Sequence, residues 1–63
     1  MQKLWIARDY TGSLSLYAEI PIKGTVCFYN VDDAMELNED MFPEVTFENS
    51  PQEVELKLID KNN

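Results

Sequence analysis

Gly12, set between two runs that read as strands, constrains this chain more than any other feature. Lys3–Asp9 is rich in aromatic and aliphatic residues. Leu14–Ile20 alternates strictly, with Leu14, Leu16, Ala18 and Ile20 on one side. A period of two is the mark of a half-buried strand. Tyr10-Thr11-Gly12 lies between them, and a three-residue loop ending in Gly fits a type I turn closed by a left-handed residue. That loop fixes the register. Asp9 should face Ser13, Ala7 face Ser15 and Trp5 face Tyr17. On the other face Ile6 should meet Leu16 and Leu4 meet Ala18. Slipping the pairing by one residue would turn Leu14 and Leu16 to solvent.

The rest of the chain reads as further short strands. Pro21 ends the second strand or sets its end at an edge, because it has no N–H for a ladder. Ile22-Lys23-Gly24 reads as a connector, Thr25–Tyr29 as a third strand and Asn30–Asp33 as a turn. Ala34–Leu37 is a short strand. Residues 38–42 admit one helical turn, with Asn38 as cap, and Pro43 stops it by excluding Phe42 from the helical region. Val45–Glu48 and Glu53–Ile59 flank Asn49-Ser50-Pro51-Gln52 as a second hairpin, with Phe47 opposite Val54, Val45 opposite Leu56 and Glu44 opposite Lys57. The same register opposes Glu48 and Glu53, which is unfavourable. Pairing of the last strand with the first is the alternative.

These pieces predict an all-β fold: a small antiparallel sheet of about five short strands, curled or half-open as a barrel, with the helical turn at 38–42. A flat sheet carrying that turn is the alternative. The chain has 63 residues, room for one domain over 1–59 and a fraying tail at 60–63. Leu, Ile, Val and Phe supply 17 of them, enough for a thin core.

Much chemistry is disfavoured. The chain has no His and one Cys, so neither an internal disulfide nor an ordinary zinc site is expected. Cys27, between Val26 and Phe28, lacks a basic neighbour in sequence and reads as a small hydrophobe rather than a reactive thiol. Asp32, Asp33, Glu36, Glu39 and Asp40 are hard oxygen ligands, but no Gly follows Gly24, so the Ca²⁺ loop of an EF-hand is absent. They read as a solvated acidic turn. No cofactor is expected. No apolar run is long enough for a membrane span.

The charge distribution says more. Twelve Asp/Glu against five Lys/Arg give a net −7. Residues 1–31 carry +1 and residues 32–63 carry −8. Asp32, Asp33, Glu36, Glu39, Asp40, Glu44 and Glu48 follow one another with no base between them. Such a field repels nucleic acid and anionic membranes and speeds association with a basic protein. It serves equally to keep a chain soluble and to guard strand edges. Trp5 and Tyr17 form the other candidate surface. In a one-layer sheet they would be exposed for contact. In a curled one they would pack beneath the acidic segment, against Met41 and Phe42.

Leu4-Trp5-Ile6-Ala7-Arg8-Asp9, Gly12 and Leu14-Ser15-Leu16-Tyr17 resemble the start of a family of short hypothetical proteins of bacterial genomes and phages. Met41–Glu48, Pro51 and Glu53-Val54-Glu55-Leu56 resemble its end, and the middle is unmatched. The resemblance implies a small intracellular accessory protein of bacterial, phage or mobile-element origin, and it carries over no functional residue. The expected function is therefore a cytoplasmic, acidic, non-enzymatic module that binds a basic protein. A structural homodimer using the aromatic face or a sheet edge is the alternative. A metal-dependent or hydrolytic enzyme is a weaker one.

Overall fold

The computed structural model describes residues 2–30 and 34–58. Its strands are β1 (Gln2–Arg8), β2 (Leu14–Tyr17), β3 (Ile22–Lys23), β4 (Phe28–Tyr29), β5 (Met35–Leu37) and β6 (Gln52–Leu56). They form a four-stranded antiparallel sheet in the order β5-β2-β1-β6 and a two-stranded ribbon of β3 and β4. The fold is all-β and antiparallel, as the periodicity predicts, and the sheets do not close into a barrel.

The first hairpin has the register its loop demands. Trp5 faces Tyr17, Ile6 faces Leu16 and Ala7 faces Ser15. The Asp9 N–H donates to the Ser13 carbonyl at 2.7 Å, and Gly12 takes a φ of 105°. β2 ends at Tyr17 rather than Ile20, where the chain leaves the sheet to carry the ribbon onto the Trp5–Tyr17 face.

In the ribbon, Ile22-Lys23 is a strand and not a connector, and the expected strand over 25–29 shrinks to Phe28–Tyr29. Ile22 pairs with Tyr29 and Lys23 with Phe28, so the turn falls on the strand formers Thr25 and Val26. Packing overrides their propensity. The Tyr29 ring lies against Gly24, where a Cβ would collide with the ring and sit 2.9 Å from the Cys27 carbonyl.

No helix forms at 38–42. Asn38 does cap a turn: its Oδ1 accepts from the Asp40 N–H at 2.9 Å and its carbonyl from the Met41 N–H at 3.0 Å. Phe42, before Pro43, then swings to a φ of 49°. The carbonyls of Glu39, Met41 and Phe42 bond to the Arg8 guanidinium, and the Phe42 carbonyl also accepts from the Val45 N–H at 2.9 Å, which closes a turn rather than continuing a helix.

The second hairpin is also overturned. β6 pairs with β1, setting Leu4 opposite Val54 and Gln2 opposite Leu56. This avoids opposing Glu48 and Glu53, and Glu53 instead meets Lys3 at 3.4 Å. Val45 and Phe47 plug opposite faces. Val45 joins Ile6 and Leu14 in one buried cluster, and Phe47 covers Ala7, Tyr17 and Phe28 in the other. The Asn30–Asp33 turn lies largely outside the described residues, as does the 60–63 tail.

Candidate functional site

The sequence candidates fall in several places. Tyr17 is only 6% exposed and Trp5 is half-buried, so they belong to the core reading and not to an open aromatic face. Their cover is Phe28 and Phe47. Met41 and Phe42, expected there, lie on the opposite face. Phe47 anchors the cover, meeting Tyr10 and Phe28 edge-on with ring centroids 5.7 Å apart and lying 4.5 Å below Lys23 Nζ.

The described acids are spread over several elements. Glu36 faces outward on β5, opposite Ser15. Glu39, Asp40 and Glu44 are exposed in the turns on either side of Met41-Phe42. The Glu48 carbonyl accepts from Lys23 Nζ at 3.3 Å, which places Glu48 beside the ribbon. Asp32 and Asp33 lie outside the described residues.

The face away from the ribbon carries a feature that sequence reasoning missed. Two adjoining apolar depressions, of about 220 and 410 Å³, share Leu4, Leu16 and Leu56. Together they make a trough across all four strands of the main sheet, from Met35 on β5 to Leu56 on β6. Met35 and Leu56 are 62% and 61% exposed, and Met41 and Phe42 form one wall. Glu55 on β6 adjoins it between Val54 and Leu56, with its side chain on the other face of the sheet. The trough stays open because the ribbon covers only the other face and Val45 fills only the end beside Ile6 and Leu14. Alternation does place Leu4, Leu16, Met35 and Leu56 on one face, but only the pairing of β5 and β6 sets them side by side.

Arg8 builds the wall. Its Nε donates to the Val45 carbonyl and its Nη1 to Gly12 and Glu39 at 2.8 and 3.2 Å. Its Nη2 donates to Met41 and Phe42 at 2.9 and 3.1 Å. A guanidinium has five N–H groups, so these five carbonyls match its capacity. Ser50 completes the seam: its Oγ accepts from the Arg8 N–H at 3.0 Å and donates to the Thr46 carbonyl.

Chemical groups are sparse. Cys27 is half-buried in the ribbon turn rather than mid-strand. The Cys27 thiol beside it raises the Tyr29 phenol above its ordinary 10.0. Among the described residues, no three acid or thiol side chains gather as metal ligands, and no helix is long and apolar enough to cross a membrane. No family model, curated protein or solved structure matches the chain. The trough is an apolar depression of the described surface, and Glu39, Asp40 and Glu44 lie exposed in the turns that form its wall.

Proposed function

We propose that this chain is a non-enzymatic, acidic protein-interaction module that works in the cytoplasm of a bacterium, as the resemblance to small bacterial and phage accessory proteins implies. The observation that carries the reading is the open trough. Exposed Met35, Met41, Phe42 and Leu56 line it, and Glu39, Asp40 and Glu44 lie in the turns that carry Met41 and Phe42. Methionine and aromatic side chains suit adaptable contact surfaces. The acids of these turns select a partner whose apolar side chains are flanked by Lys or Arg. A cluster of acids alone would serve solubility, and the apolar floor is what separates recognition from solvation.

The test is a pull-down from host lysate at low salt with three baits: the natural chain, a variant with Glu39, Asp40 and Glu44 made Gln, Asn and Gln, and Met35→Ser. The reading expects one or more basic proteins on the natural chain, fewer on the neutralised bait and fewer on Met35→Ser. Identical sets on all three would overturn it.

A further inference from the structure

β6 is an edge strand. β1 pairs with one side of it, and among the described residues nothing pairs with the other. The hairpin tells which backbone groups face outward. Asp9 and Ser13 are a bonded pair, and bonded and non-bonded pairs alternate along an antiparallel ladder. Odd-numbered β1 residues therefore turn their N–H and C=O toward β2 and even-numbered ones toward β6. The Arg8 N–H, directed at Ser50, fits that alternation. Val54 and Leu56, opposite Leu4 and Gln2, bond inward, and Glu53 and Glu55 point their backbone groups outward. Continuing the period, so does Lys57.

The pairing with β1 stops at Leu56. Lys57 and Leu58 overhang the sheet, and Leu58 is 93% exposed. The overhang continues the β6 pattern, with Val54, Leu56 and Leu58 toward the trough face and Glu53, Glu55 and Lys57 toward the other. Within this pattern Lys57 is the base that can answer an acid.

We propose that β6 pairs antiparallel with β6 of a second copy about a two-fold axis at Leu56. This register opposes Glu55 and Lys57 of the second copy, twice by symmetry, in bonded pairs. It sets Leu56 against Leu56 and Val54 against Leu58. The neighbouring registers are worse. An axis at Val54 opposes Glu53 and Glu55 twice, and an axis at Glu55 matches Glu53 with Lys57 twice but adds Glu55 opposite itself, whereas like charges directly opposite destabilise a ladder. The paired edges make one eight-stranded sheet, cover Leu58, and join the two troughs end to end. This goes beyond the binding of a basic partner, which each trough could still receive.

The net −7 does not forbid the pairing. Glu39, Asp40 and Glu44 belong to the turns that Arg8 holds, six residues along β1 from Gln2. At about 3.4 Å per residue that is roughly 20 Å from the axis. The screening length at physiological salt is about 8 Å.

Sedimentation equilibrium on the isolated chain, from micromolar to millimolar, tests the proposal with no partner present. The natural chain should dimerise. Lys57→Glu and Glu55→Lys should each raise the dissociation constant about tenfold or more, because each turns two favourable pairs into two unfavourable ones. The double variant Glu55→Lys/Lys57→Glu restores opposite charges and should restore the dimer. Both side chains are exposed, and circular dichroism verifies that the fold is kept. A monomer throughout, a dimer indifferent to both single reversals, or a double variant no better than the singles would overturn the proposal.

Discussion

Arg8 Nη2 donates to the carbonyl of Phe42 at 3.1 Å, and Phe42 is the one non-glycine residue among those described with a positive φ, 49°. A left-handed conformation costs a residue with a Cβ about 1–2 kcal/mol. Pro43 already bars Phe42 from the right-handed helical region. The guanidinium offsets the remaining cost by bonding the carbonyls on either side of the reversal, so the Phe42 side chain is presented to the trough instead of folding away. A strand residue near the hairpin thereby shapes a surface more than thirty residues later in the chain.

Arg8→Lys should therefore destabilise the fold by about 2 kcal/mol, since a lysine can replace neither the number nor the planar geometry of the five donors. Arg8 bonds to carbonyls rather than to a carboxylate, so the loss should be nearly the same in low and high salt. Urea melts at two ionic strengths check both points. A loss that vanishes at high salt would mean that an ion pair, not the carbonyl clamp, is at work.

The two glycines should respond for different reasons. Gly12 has open space around it but a φ of 105°, so Gly12→Ala should cost about 1 kcal/mol through the backbone alone. Gly24→Ala pushes a methyl into the Tyr29 ring and should cost about 1–3 kcal/mol through packing. Replacing Tyr29 with Ala should remove the ring's share of the second penalty, leave the share from the Cys27 carbonyl 2.9 Å away, and remove none of the first. A double-mutant cycle by denaturant melts measures that coupling.

Burial first, and the Asp9 carboxylate second, hold the Tyr17 phenol above its ordinary 10.0. The unfolded chain then gives up this proton before the folded one. The contribution to stability is full below pH 10 and is lost as pH rises through the folded value. Tyr17→Phe should flatten part of the decline in urea midpoint across that alkaline window. A variant that declines in parallel with the natural chain would place the alkaline sensitivity elsewhere.

The first hairpin was legible because turn chemistry and burial agree there: Gly12 fixes the loop, and Leu14 and Leu16 fix the face. The second hairpin misled because Val45 and Phe47 have strand character but act as single plugs on opposite faces of the sheet. The Glu48–Glu53 clash was the sign against it. The 38–42 segment has a helix cap and stop, yet the carbonyls of Glu39, Met41 and Phe42 bond to Arg8, a tertiary partner that no local pattern reveals. The hairpin register alone puts Trp5 and Tyr17 on one face. What covers that face depends on a ribbon whose turn is closed by the Gly24–Cys27 backbone bond and tied to the first hairpin by the Tyr10–Val26 bond, neither of which a local pattern reveals. The trough was not legible, because it needs the order of four strands and not the pattern of any one.

The most direct test of the interaction reading is a nitrogen–proton NMR titration of the labelled chain with two peptides of equal charge, one alternating Lys and Leu and the other Lys and Ser. The account predicts that the Lys–Leu peptide shifts the amides of Leu16, Met35, Met41, Phe42 and Leu56, with affinity falling as salt rises. The Lys–Ser peptide should shift them far less. Equal shifts with both peptides confined to the acidic turns, or shifts centred on Trp5 and Phe47, would contradict the claim that the trough is the binding surface.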